Sequence, residues 1–149
     1  MSEDLLTIDV KGENLQVGAK LLAVNEEGKY LLIRKNPEKY PNQADTWDIP
    51  GGRWTPGREH IPDTIKRELE EESGLEIISK PEFIAKQKFP NTNENNVQVV
   101  RLTYRAKVNG QLNLNDEHLE AIWVTLDQMK DMDNLDPQVK ELLDQGLMK

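Results

Sequence analysis

Residues Gly51 to Leu75 read GGRWTPGREHIPDTIKRELEEESGL, and the fold reading starts from them. Pro62 suits the first turn of a helix, where a missing N–H costs nothing, and Asp63 complements the positive end of the helix dipole. Gly74 suits the left-handed residue just past the last turn. At 100° per residue, Ile65 and Leu69 occupy one side, with Ile61 near them at the start. Thr64, Glu68, Glu71 and Glu72 fall in an adjoining arc of about 100°, while Lys66, Glu70 and Ser73 point away. Four of the five residues from Glu68 to Glu72 are glutamates. Two carboxylates about 5 Å apart repel by roughly 3 kcal/mol at an effective dielectric of about 20. A bound divalent cation is the simplest compensation; a solvated acidic face is the competing reading.

The helix is flanked by strands. Gln16–Val24 and Tyr30–Arg34 are nearly continuous in apolar residues, as central strands buried on both faces should be, and the turn Asn25-Glu26-Glu27-Gly28 joins them. Leu5–Val10 reads as a short strand and Lys11–Asn14 as a turn. Lys35–Asp45 reads as a loop, and Trp47–Pro50 as a strand end that breaks into a turn at Gly51-Gly52. Pro81–Phe89 is a further strand, followed by the polar loop Pro90–Asn96. Val97–Val108 alternates, with Val100, Leu102, Tyr104, Ala106 and Val108 apolar and Arg101, Thr103, Arg105 and Lys107 on the polar face. Ala121–Leu126 is the last strand and Pro137–Leu147 a terminal amphipathic helix. This order predicts an α/β fold, a mixed sheet with helices on both faces, in one domain spanning residues 1–149.

Composition narrows the function. The 149 residues carry a formal charge of -8, which disfavours nucleic acid and anionic membranes as partners. There is no cysteine and there are only two histidines, His60 and His118, so thiol chemistry and multi-histidine metal sites are excluded. No apolar run is long enough to span a membrane, and the N-terminus lacks the layout of a signal peptide, so a cytoplasmic protein is expected.

The opening stretch resembles the Nudix box, whose pattern is G, five residues, E, seven residues, then R-E-U-x-E-E-x-G-U with U aliphatic. Arg67, Glu68, Leu69, Glu71, Glu72, Gly74 and Leu75 match every fixed position of its second half. Glu59 stands at the right distance before Arg67, but six residues rather than five separate it from Gly52, one residue being inserted near Arg58-Glu59. Asp48-Ile49-Pro50-Gly51-Gly52 and Glu117-His118-Leu119-Glu120…Trp123-Val124 are also similar to segments of relatives.

The resemblance implies a Nudix-like α/β/α sandwich and a Mg2+-dependent pyrophosphohydrolase, with Mn2+ as an alternative ion. The substrate would be a nucleoside diphosphate linked to another moiety, and a nucleoside monophosphate would be released. By position, Glu71 and Glu72 match the main metal ligands, Glu68 a ligand or general base, and Gly52 could lend a backbone carbonyl. Arg67 would hold Glu71 and orient the cluster. Relatives take the base from the box helix or from a downstream loop, where Glu117 and Glu120 are the candidates and Glu117 is preferred. Arg34, Arg53, Arg101 and Arg105 are candidates for phosphate recognition; Trp47, Trp54, Tyr40 and Phe89 are candidates for stacking on a nucleobase, Trp54 first among them. Against these stand plainer readings: Arg101 and Arg105 as solvent-facing strand residues, Trp123 as core, and His118 as a surface residue.

Three substrate classes follow from the resemblance. They are nucleoside triphosphates, oxidised ones included, nucleotide sugars such as ADP-ribose, and dinucleotides; Pro90 stands where the ADP-ribose subgroup carries a proline. The alternative is a non-hydrolytic Nudix-fold module that senses a nucleotide or binds a protein, although such relatives usually lose box glutamates and this chain keeps them. A homodimer is compatible, since many relatives pair through exposed strands or loops.

Overall fold

The computed structural model describes residues 14–41, 46–89 and 97–148. The strand expected at 5–10, residues 11–13 of the turn expected at 11–14, residues 42–45 of the long loop and the loop 90–96 with Pro90 lie outside the described residues; Asn14, the last residue of that turn, instead opens the first strand.

The centre is a parallel pair, β1 (Asn14–Val24) against β7 (Val97–Asn109), in register from Asn14↔Val97 to Val24↔Lys107. Among the described residues all other strand-to-strand pairings are antiparallel, and an isolated parallel bridge joins Trp47 to Leu135. Strand β1 turns into β2 (Tyr30–Lys35) through Asn25, whose Oδ1 accepts the N–H groups of Glu27 and Lys29 at 3.0 and 2.9 Å. Strand β8 (His118–Val124) pairs along one edge of β2, and β3 (Trp47–Asp48) pairs with Ile33 and Arg34 on the opposite edge. Strand β4 (Gly51–Trp54) pairs with the first half of β1, while β5 (Glu76–Ile77) and β6 (Glu82–Lys88) pair with β7. Helix α1 (Ile61–Ser73) covers one face; α2 (Leu126–Lys130) and α3 (Pro137–Asp144) cover the other.

Alternation along the strands divides the core in two. Val17, Ala19 and Leu21 of β1 and Leu102, Tyr104 and Ala106 of β7 pack with Ile61, Ile65 and Leu69 of α1. Leu22 and Leu32 turn the other way, onto Met129, Val139 and Leu142. Trp123 packs against the α1-side core, as its apolar neighbours lead one to expect.

Four sequence expectations change. Gly51-Gly52 is not a turn but part of β4, because Gly51, without a Cβ, lets this strand press onto β1: a Cβ there, at φ +148°, would lie 2.1 Å from the Ala19 carbonyl oxygen. The last strand runs from His118 to Val124 rather than from 121 to 126, since Thr125 caps α2 with a reciprocal Thr125–Gln128 capping box. Ser73 does not point to solvent; it is fully buried and its Oγ donates to the Leu69 carbonyl at 2.6 Å. Arg101 and Thr103 are not a solvent face either, for both are buried. Helix α3 closes over that side of the sheet, and the Asp136 side chain that caps it also receives Arg101.

Candidate functional site

Helix α1 begins after His60, with Pro62 in its first turn, and ends where Gly74, at φ 75°, donates its N–H to the Glu70 carbonyl at 2.9 Å. This fixed frame sorts the glutamates by depth. Glu70 and Glu71 are exposed, Glu68 is half-buried and Glu72 is buried.

Arg67 organises the outer part. Its Nη2 and Nε donate to Glu59 Oε1 at 2.7 and 3.1 Å, and Nη1 reaches Glu68 Oε1 at 3.2 Å and Glu71 Oε2 at 3.5 Å. Thr64 Oγ1 donates to the same Glu59 oxygen at 2.9 Å. Arg67 does reach Glu71, as expected, but its tightest partner is Glu59, eight residues before it. Hydrogen bonds from Arg67 and Thr64 hold the Glu59 carboxyl below its ordinary range.

Glu72 occupies the inner part. Its Oε1 accepts the Gly51 N–H at 2.9 Å, and its Oε2 lies 3.3 Å from His118 Nε2. Burial pushes the Glu72 carboxyl up to about 8, and the charges of Glu68 and Glu117 push the same way against Lys20 and the Gly51 N–H. Burial likewise raises Glu68, with Glu71 and Glu117 adding to it against Arg67. Gly52 packs onto this cluster: a Cβ there would stand 2.4 Å from the Glu68 carboxyl carbon.

His118 is not a surface residue. It is 6 % exposed, and its Nδ1 donates to Asn115 Oδ1 at 3.3 Å. Burial and the nearby Lys35 lower its pKa to about 4. In the cation-free protein at neutral pH, the proton between Glu72 and His118 therefore sits on the carboxyl.

The downstream segment brings Glu117 to the same place. Asn36 donates its N–H to the Glu117 carbonyl at 2.8 Å, Lys39 Nζ is 2.8 Å from Asp116 Oδ2, and the Tyr40 phenol hydrogen-bonds the Glu117 side chain. Glu120, the other downstream candidate, is exposed and ion-paired with Arg34 instead.

The candidate substrate residues are not gathered in one place. Arg34, besides Glu120, lies over the Trp47 ring at 5.6 Å. Arg53 is exposed and donates to Gln16 Oε1 at 2.6 Å. Trp54 donates its indole N–H to the Glu59 carbonyl at 2.7 Å and lines a cavity of about 480 Å³ with Arg58, His60 and Asp63. Arg101 is bound to Asp48 at 3.3 Å and Asp136 at 2.8 Å, and lies over the Phe89 ring at 5.9 Å. Arg105 pairs with Glu82 at 3.2 Å. Sequence reasoning missed Asn115, although Asn-Asp-Glu is an Asx-turn signal, and it missed the Lys20–Asp48 pair beneath the site.

Among the described residues no three acidic or imidazole side chains form a ready-made metal cage. Arg67 draws Glu68 and Glu71 outward while Glu72 turns to Gly51 and His118. The donor chemistry nonetheless suits a small hard cation: the donors are oxygens, and the charges of Glu68 and Glu117 oppose the ionisation of Glu72 while those of Glu71 and Glu117 oppose that of Glu68. Replacing Gly52 by Ala tests that packing. The new methyl meets the end of a flexible side chain, so stability should change by less than about 1 kcal/mol while Mn2+ affinity falls about tenfold. Unchanged affinity in a Mn2+ titration would count against a cation at Glu68.

The opposed shifts of Glu72 and His118 also fix a pH dependence. The Glu72 contribution to stability is complete below 4.5 and is lost as pH rises through about 8. The His118 contribution is complete above 6.5 and is lost as pH falls through about 4. Between 4.5 and 6.5 the two cancel; from 6.5 to 8 only the Glu72 loss remains, about 2 kcal/mol. Urea melts of chelator-treated protein should show that fall, and saturating Mg2+ should remove it. A flat profile in chelator would contradict a protonated Glu72.

No helix among the described residues is long and apolar enough to cross a membrane. No curated protein matches the sequence. Among solved structures, the chain is similar to a MutT protein from Methanosarcina mazei Go1, at 24% identity over 90% of this chain and 94% of that one, with a TM-score of 0.75. It is also similar to a MutT NUDIX hydrolase from Burkholderia pseudomallei, at 25% identity over 89% and 98%, TM-score 0.70. A NUDIX hydrolase from Nitrosomonas europaea is 22% identical over 89% and 86%, TM-score 0.67. These likenesses agree with the mixed-sheet fold. The family model for the NUDIX domain matches residues 14–145, most of the length, and the chain belongs to that family of Nudix-type hydrolases.

Proposed function

We propose that the protein hydrolyses a nucleoside diphosphate linked to another moiety, a nucleoside triphosphate or a nucleotide sugar such as ADP-ribose, releasing a nucleoside monophosphate. Glu68, Glu71 and Glu72, with the Gly52 carbonyl, would hold Mg2+ or Mn2+. When bound, the ion neutralises charge on the phosphate oxygens and acidifies water. The observation that carries this reading is the convergence of carboxylates from two separate elements, α1 and the 115–118 segment, with the Glu117 charge opposing the ionisation of both Glu68 and Glu72.

The remaining chemistry falls to the chain itself. Glu117, held by Tyr40 and the Asn36 N–H, is the base that takes the proton of the attacking water as the P–O bond to the leaving group breaks. Arg67 keeps Glu68 and Glu71 from swinging free and returns to Glu59 as its anchor. Lys20, 3.2 Å from Asp48 and 3.1 Å from the Ile49 carbonyl, steadies the strand end that presents the Gly51 N–H to Glu72.

A nucleotide panel incubated with Mg2+ and scored for monophosphate release tests this and sorts the substrate classes. Turnover that disappears with chelator is expected; none on any member would favour a non-hydrolytic sensing module. Replacing the exposed Glu70 by Gln should leave turnover within about twofold. A complete loss there would show that Glu70 faces the site.

A further inference from the structure

Outside the residues the box assigns, Asn115 touches both halves of the site, the downstream segment by its side chain and α1 by its backbone. Asn115 Oδ1 accepts the Glu117 N–H at 3.2 Å and the His118 Nδ1–H at 3.3 Å. The Asn115 N–H donates to the Glu72 carbonyl at 3.4 Å, and the neighbouring Asn113 N–H donates to the Ser73 carbonyl at 2.7 Å. Two of the carbonyls left open at the end of α1 thus receive their donors from this segment. His118 continues the chain of contacts to Glu72 Oε2, whose partner oxygen is already fixed by Gly51.

We propose that Asn115 is a positioning residue that sets Glu72, through His118, and Glu117, through its backbone, in register with each other. This rests on the reading of Glu72 and Glu117 as cation ligand and base. The imidazole has two ring nitrogens and one plane; with Nδ1 anchored on Asn115, Nε2 can point only where Glu72 lies. Glu72 is then held at both oxygens before any cation arrives, and the cation does not have to select its rotamer. Groups that orient ligands in this indirect way typically govern affinity by about 10- to 100-fold. A plain Asx turn would account for the bond to the Glu117 N–H alone. It would leave the His118 bond without a role, and that difference can be measured.

The experiment is Mn2+ binding to substrate-free protein, followed by electron paramagnetic resonance, for Asn115→Ala, His118→Ala, their double variant and Asn115→Ser. Thermal melting accompanies each. Asn115→Ala and His118→Ala should each weaken binding about tenfold, and the double variant should lose about the same tenfold rather than a hundredfold, since both break one chain of contacts. Serine keeps a hydroxyl that can cap the Glu117 N–H but is too short to serve His118 as well, so Asn115→Ser should bind Mn2+ like the alanine variant while melting closer to the wild type. Additive losses, or an Asn115→Ser variant with wild-type affinity, would overturn the positioning role and leave only a turn. Wild-type protein that takes up no Mn2+ would instead overturn the cation reading itself, and the proposal with it.

Discussion

Replacing Glu72 by Gln should lower Mg2+-dependent turnover on the order of 10³-fold, the equivalent of about 4 kcal/mol of transition-state stabilisation, while leaving the fold intact. The stability half of this expectation comes from the protonation state. In the cation-free protein Glu72 is already neutral near pH 7, donating toward His118 Nε2 and accepting from Gly51. An amide reproduces both bonds: its NH2 donates where the carboxyl proton was, and its oxygen accepts the same N–H. What it cannot do is lose a proton to become an anionic ligand. The variant should therefore melt at or above the wild type at pH 8 without Mg2+, and should gain little from added Mg2+. Turnover at more than a tenth of the wild-type rate would remove Glu72 from the machinery. A large fall in melting temperature would mean that its neutral form is not the folded form.

The largest loss of stability should come from a residue the chemistry does not use. Arg101 is 8 % exposed and bridges two carboxylates, Asp48 from β3 and Asp136 at the start of α3. Burial pushes the Asp48 carboxyl up, yet Lys20 and Arg101 together hold it below its ordinary value. Asp136 also caps α3, accepting the N–H groups of Gln138 and Val139 at 3.1 Å each. Arg101→Ala would leave the buried Asp136 without its cation and Asp48 with Lys20 alone, and would loosen a helix cap in one step, at a cost of about 3–5 kcal/mol in urea melts. Asp48 leads directly into the Gly51-Gly52 strand, so Mg2+ affinity should weaken as well. A cost below about 1 kcal/mol would show that the two carboxylates readily find water.

How much of this was legible in the sequence depended on how local the cause was. Helix α1 and its box were readable because the determinants (Pro62, Asp63, the apolar stripe and Gly74) lie within the helix or beside it. The sorting of Glu70 from Glu72 followed from helical spacing alone. Arg101 and Thr103 were misread because alternation along β7 reports two faces but not what covers them; the cover, α3, lies more than thirty residues on. Ser73 was misread because its hydroxyl turns back to the Leu69 carbonyl, removing its need for water. His118 was the costliest miss. A lone histidine in a polar stretch reads as solvated, and only the folding of residues 113–118 onto the end of α1 buries it beside Glu72. Helix α2 was overlooked although Thr125-Leu126-Asp127-Gln128 carries the capping-box signature.

Diffraction at the manganese absorption edge from crystals soaked in Mn2+ bears most directly on the central claim. An anomalous peak about 2.2 Å from a Glu72 carboxylate oxygen, and within the same distance of Glu68 or Glu71, is the expected result. It requires Glu68 and Glu71 to turn from Arg67 toward the ion, and Glu72 to give up its proton. A peak elsewhere on the molecule, or none at millimolar Mn2+, would contradict the assignment of these glutamates as a cation platform.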